Sequence, residues 1–203
     1  MDKRFWGILI GIALIFGVVL WVNSNKAAAP SSSAKPTSHI EGQGKDGITL
    51  LEYGDYECPF CGQFFPIVKQ VQAEYNTQLF FQFRNLPLTQ LHPNAFAGAR
   101  AAEAASIQGK FWQMHDALFA HHTNLSRASI LDMARAAGLD LKRFQADWDS
   151  PETKKIVARD MEDGDHAFVE GTPSIYINGQ KYNGSLELPA IRPILDAELK
   201  KSK

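Results

Sequence analysis

Apolar and polar positions along this chain fall into three regimes: a solid apolar block, a stretch without pattern, and a long region of mixed strand and helix periodicity. The block runs from Phe5 to Val22 behind Asp2-Lys3-Arg4 and is close to the roughly 20 residues that cross a bilayer as a helix. Trp6 and Trp21 stand near its two ends, where amphipathic rings favour the membrane–water boundary, and Lys3 and Arg4 hold the leading end on the cytoplasmic side. The block reads either as an uncleaved anchor or as a signal peptide cut near Ala27-Ala28-Ala29. It exceeds the roughly 7–15 residues of a signal core, which favours the anchor. Both readings deliver the rest of the chain outside the cytoplasm. From Asn23 to Lys45 the composition is Ala, Ser, Pro, Lys and Gly, which predicts a flexible tether.

The third regime, residues 46–203, predicts a folded domain. Ile48 to Tyr53 is a short apolar run that fits a buried strand. Gly54 to Glu57 turns the chain, and Pro59 suits a first helical turn. Phe64, Ile67, Val68, Val71 and Tyr75 then recur at helical spacing, with Pro66 expected to kink the helix. Leu79 to Arg84 is an aromatic-rich second strand. Helices follow over Asn94–Ile107, Lys110–His121 and Ser126–Ala137, the last with a Ser cap and Gly138 beyond its end. Another opens at Ser150-Pro151 and runs towards Phe168. Ser174 to Asn178 is a third strand, Asn178-Gly179 a hairpin turn leading to Lys181-Tyr182, and Leu188 to Lys201 a closing helix. A β-α-β half and a β-β-α half around a helical block at about residues 90–167 resemble an α/β thioredoxin fold with an inserted helical domain.

Composition narrows the function. With 45% hydrophobic and 21% charged residues a packed core is expected, and a net charge of −1 gives no footprint for nucleic acid. The chain holds two cysteines, Cys58 and Cys61, too few and too close for a disulfide-stapled scaffold. They follow a predicted strand and open a predicted helix. At a helix start Cys58 faces free backbone N–H groups and the positive end of the dipole, which favours its thiolate. Cys61, one turn in, is shielded and can resolve a mixed disulfide at Cys58. A structural disulfide, half of a zinc site or an inert pair remain as alternatives, although a three-residue loop gains little from closure and zinc needs four ligands. His92, His115, His121, His122 and His166 are scattered; His121-His122 reads as a solvated helix end rather than a metal pair. No phosphate loop or nucleophile elbow is present.

The segment LLEYGDYECPFCGQFFP resembles the active site of the DsbA-like thiol–disulfide oxidoreductases, including membrane-anchored ones. FWQMHDALF is similar to their helical insert and GTPSIYING to their cis-proline segment. The resemblance covers about 155 residues, from Asp46 to the end. It implies that Cys58 is the nucleophile and Cys61 the resolving cysteine, with no cofactor beyond their redox-active disulfide. It also implies that Glu52 is a buried acid carrying a proton to or from Cys61, and that Thr172-Pro173 is a cis dipeptide facing the cysteines and positioning a client. Pro59 and Phe60 would also meet the client. One departure matters: Phe60 stands where the best-known oxidases of the family carry a basic His, so oxidase and reductase directions both stay open. The implied partners are reduced secreted proteins and a quinone-linked membrane oxidase of the DsbB type, at the outer side of the cell membrane. A tethered client-binding chaperone with a vestigial cysteine pair is the alternative from another class.

Overall fold

The computed structural model describes residues 36–45 and 47–201, and the apolar block Phe5–Val22 lies outside them. Among the described residues no helix is long and apolar enough to cross a membrane.

Strand β1 (His39–Gly42) precedes β2 (Ile48–Gly54), helix α1 (Pro59–Glu74) and β3 (Leu79–Asn85). Five helices follow: α2 (Ala95–Ile107), α3 (Phe111–Ala120), α4 (Arg127–Ala136), α5 (Leu141–Trp148) and α6 (Pro151–His166). The chain closes with β4 (Ser174–Ile177), β5 (Gln180–Tyr182) and α7 (Leu188–Lys201). The strands form one mixed sheet in the order β1-β3-β2-β4-β5. β2 and β3 are parallel, with α1 as their crossover, whereas β1, β4 and β5 pair antiparallel. A thioredoxin-like α/β fold with a helical insertion is therefore present.

Register explains which residues are hidden. Leu50 pairs with Phe81 and Ile177, and Glu52 with Phe83 and Ile175. Directly paired residues point to one face, so this face carries two apolar rows with a single carboxylate among them. α1 covers it through Cys61, Phe64, Val68 and Val71, and α7 through Leu188, Ile191 and Leu195. The opposite face is half covered by the end of α6, where Asp163 bonds both Tyr53 and Arg84. In the insert, α2 buries Ala95, Ala99, Ala101, Ala102, Ala104 and Ala105 and packs against α3, α5 and α6. A helix apolar on most sides is a buried one, and its small side chains let three neighbours approach closely.

Two expectations are corrected. The tether predicted to reach Lys45 gives way to structure from residue 36, because His39–Gly42 adds a strand to β3. His39 also stacks on Phe111, with ring centroids 3.5 Å apart, and its Nε2 bonds Glu103 at 2.9 Å. Thr37 binds Asp160 through its N–H and its hydroxyl, each at 2.7 Å. The second correction is α5, a separate helix capped by Asp140, which accepts the Arg143 N–H at 3.0 Å. Helix α1 runs through Pro66 for 16 residues, close to the extent expected; Pro66 is exposed, on the helix face turned from the sheet. The Asn178-Gly179 turn has φ values of 48° and 77°, the left-handed pair that a tight hairpin needs.

Candidate active site

The Cys58–Cys61 turn sits at the C-terminal end of the central strand β2. Cys58 is the N-cap of α1 with extended backbone (φ −70°, ψ 123°), and Pro59 opens the helix. The Cys58 N–H donates to the Asp55 carbonyl at 3.2 Å, and the Cys58 carbonyl takes the Gly62 N–H at 3.0 Å. The sulfur therefore projects among the free N–H groups of the first turn. Both cysteines are free thiols, buried at the turn.

The two thiols are driven apart in acidity. The Cys61 side chain donates to the Cys58 sulfur and is the largest influence on it; with the backbone N–H groups of Cys61 and Phe60 it outweighs burial and brings Cys58 from 9.0 down to about 5. Thr172 contributes from the facing loop. In the thiol form Cys58 Sγ–H donates to the Thr172 carbonyl at 3.4 Å, which holds the protonated state. The Thr172 hydroxyl, buried without a protein partner, is available to donate to the thiolate. Cys61 goes the other way: burial, then the bond to Cys58 and the charges of Glu52 and Cys58, push it well above the ordinary value.

Glu52 forms the floor. It is 2% exposed, on the sheet face beneath the cysteines. Its Oε1 meets no hydrogen-bond partner. Burial, with a smaller push from Cys58, raises its pKa from 4.5 to about 8, so at neutral pH the carboxyl holds a proton. Gly54 keeps room for this arrangement: a Cβ there would lie 2.4 Å from the Phe83 ring and 3.0 Å from Glu52 Oε1.

Thr172-Pro173 is a cis peptide, as the resemblance implied, and its loop faces Cys58. Pro59 is exposed, and Phe60 is 66% exposed at the lip. Beneath Phe60 a groove of about 340 Å³ runs between α1 and the β5–α7 loop, lined by Gln63, Phe64, Ile67, Leu186 and Glu187. Phe168, with φ 53°, is also exposed, five residues before Pro173.

The structure also brings in groups that sequence reasoning left aside. Asp55 lay within a predicted turn; its buried carboxylate accepts from Glu57 N–H, Leu88 N–H and His92 Nδ1 at 2.8, 2.8 and 2.7 Å. His122, read as a solvated helix end, instead lies over α1: a Cβ on Gly62 would come within 2.9 Å of three atoms of its ring. Both contacts join segments far apart in sequence, so no local pattern signals them.

Comparison with known proteins agrees with this geometry. Residues 34–197 match the family described as Thioredoxin. A thioredoxin-like oxidoreductase from Silicibacter pomeroyi superposes with a TM-score of 0.70 at 28% identity, covering 82% of this chain and 94% of that one. The thiol–disulfide exchange protein α-DsbA2 from Wolbachia pipientis has the same fold, with a TM-score of 0.70 at 22% identity over 80% of this chain and 86% of that one. A curated relative, named as the Na⁺/H⁺ antiporter NhaA 1 of Salinispora arenicola, is 40% identical over 153 residues; these are 75% of this chain and 23% of the relative. The chain thus spans about a quarter of that relative's length. With its sheet, its helical insertion and a paired-cysteine turn facing a cis-proline, the chain belongs to the thioredoxin family and resembles the DsbA-like thiol–disulfide oxidoreductases within it.

Proposed function

We propose that this protein is an extracytoplasmic disulfide donor that oxidises thiols of secreted proteins through Cys58 and Cys61. The observation that carries the reading is the split between the two sulfurs, with Cys58 held at about 5 and Cys61 pushed up over a protonated Glu52. In the oxidised form a client thiolate attacks Cys58 Sγ. The S–S bond breaks, a mixed disulfide forms at Cys58, and Cys61 leaves with the electron pair. Glu52 supplies the proton that Cys61 needs, since both sit in the same dry floor. A second client thiolate attacks the client sulfur, and Cys58 departs as a stabilised thiolate. Two electrons have then passed from client to protein. A good leaving group at Cys58 makes the disulfide a stronger oxidant.

Pro59, Phe60, Thr172 and Pro173 present the client chain, with Phe60 offering an apolar contact beside the sulfur. Re-oxidation falls to a membrane quinone-linked partner of the DsbB type, and the Phe5–Val22 block keeps the domain at the outer face of the cell membrane. The relative named as an antiporter supports a membrane-side duty, because a module of this kind there belongs to a membrane transporter.

Redox titration of the protein against glutathione tests the direction. A potential near about −120 mV marks a donor, whereas about −270 mV marks a reductase fed with electrons through the membrane.

A further inference from the structure

Pro59 and Phe60, the side chains between the cysteines, carry no charge. The turn itself therefore offers Cys58 only dipoles and hydrogen bonds. A titratable base stands beside it nonetheless. The β3–α2 loop brings His92 back over the turn, where Nδ1 lies 2.7 Å from Asp55 Oδ2. The imidazole is 17% exposed and the Asp55 side chain fully enclosed.

Asp55 touches the redox pair directly. Its carbonyl takes the Cys58 N–H, and its backbone N–H serves the Cys61 sulfur. The loop is pinned on both sides of His92. Leu86 N–H donates to the Gly54 carbonyl and Leu88 N–H to Asp55 Oδ2, both at 2.8 Å. Beyond His92, Asn94 grips the Glu57 carboxylate through its N–H at 2.5 Å and its side-chain amide at 2.8 Å. His92 cannot turn away without opening this clasp.

We propose that His92, clasped by Asp55, is a positioning residue for the redox couple: its imidazolium favours the Cys58 thiolate and so strengthens the Cys58–Cys61 disulfide as an oxidant. The inference rests on Cys58 being the exchanging sulfur. Three groups with negative forms face the ring, namely Asp55, Glu57 and Cys58. Burial works against the charged ring, but the Asp55 hydrogen bond and the charges of Asp55, Cys58 and Glu57 together raise His92 above 6.5. Coupling of this kind is mutual: a thiolate that favours the imidazolium is favoured by it to the same extent. Disulfide formation removes the thiolate, so part of a proton leaves His92 as two electrons leave the sulfurs.

The test is an NMR titration of the His92 ring in the intact protein, oxidised and reduced. The midpoint should be higher in the reduced state, and in Cys58→Ser, which has no thiolate at that position, it should fall to the value of the oxidised protein. In parallel, His92→Gln should move the ultraviolet thiolate step of Cys58 to higher pH by a factor of about three to ten. It should weaken the disulfide against glutathione by the same factor, tenfold being about 30 mV. His92→Lys should restore most of both. Equal His92 midpoints in the two redox states would overturn the proposal, as would a His92→Gln protein with unmoved Cys58 titration. So would equal losses in His92→Gln and His92→Lys, which would mean that only the loop had slackened. Should Cys58 exchange no disulfide with glutathione at all, the functional reading falls, while the His92 titration can still be read.

Discussion

The rim and the floor of the site lie one helical turn apart and obey opposite electrostatics. At the rim, Cys58 meets backbone N–H groups, the Cys61 thiol and the Thr172 hydroxyl, so its charge is welcome. On the floor, Cys61 and Glu52 meet Phe83, Ile175 and other apolar neighbours, so charge there is penalised. The contrast teaches that a short chain segment can hold a good leaving group and a poor one three residues apart, provided that one end of it is a helix cap and the other is core.

Breaking the rim should have the largest effect. Cys58→Ser should abolish disulfide transfer in a reduced-client assay, whereas Cys61→Ser should trap the mixed disulfide, visible as a mass adduct at Cys58. Retained turnover in the Cys58 variant would end the comparison.

Next comes the stability of the reduced protein against pH. Glu52 keeps its proton to about pH 8 when folded but ionises near 4.5 when unfolded, so the folded state binds more protons and stability falls as pH rises through that window. Cys58 ionises near 5 when folded and near 9 when unfolded, so its contribution grows across pH 5 to 9 and is lost as pH falls towards 5. The two slopes oppose each other over pH 5 to 8. Glu52→Gln should therefore expose a rising curve and stabilise the reduced protein by about 1–3 kcal/mol at alkaline pH. Cys58→Ala should expose a falling one. Urea unfolding at a series of pH values measures both, and the same Glu52 variant should slow exchange.

A smaller effect is expected from Gly54→Ala, which forces a methyl into Phe83 and Glu52 Oε1. A loss of about 1–3 kcal/mol in the melting transition is expected from overpacking of this kind. Smallest is Phe60→Ser at the exposed lip: stability should stay within about 0.5 kcal/mol, while KM for an apolar unfolded client rises a few-fold.

Much of the site was legible because its chemistry is local. The strand before Cys58, the helix after it and the Asn178-Gly179 hairpin each follow from neighbouring residues. Glu52 and Thr172-Pro173 came from the resemblance, and the structure explains them: register places Glu52 beside Phe83, and Thr172 reaches Cys58 across 114 positions of sequence. β1 was not legible. His39-Ile40-Glu41-Gly42 has no apolar run, and its support comes from Phe111 and Glu103, far along the chain. Asp55, His92 and His122 escaped for the same reason, since each acquires its role only where the insert folds back on the redox turn.

Strand β1 has a mechanical consequence. It runs antiparallel to β3, with His39 beside Phe83, so the polypeptide joins the sheet at the end where β2 and β3 finish and Cys58 begins its helix. Thr37, fastened to Asp160, clamps the entry to β1 at that end. Strand β1 and the redox turn thus share one end of the sheet. A pull on the segment that enters β1 is therefore taken up by the Thr37–Asp160 clasp, at the same end of the sheet as the two sulfurs.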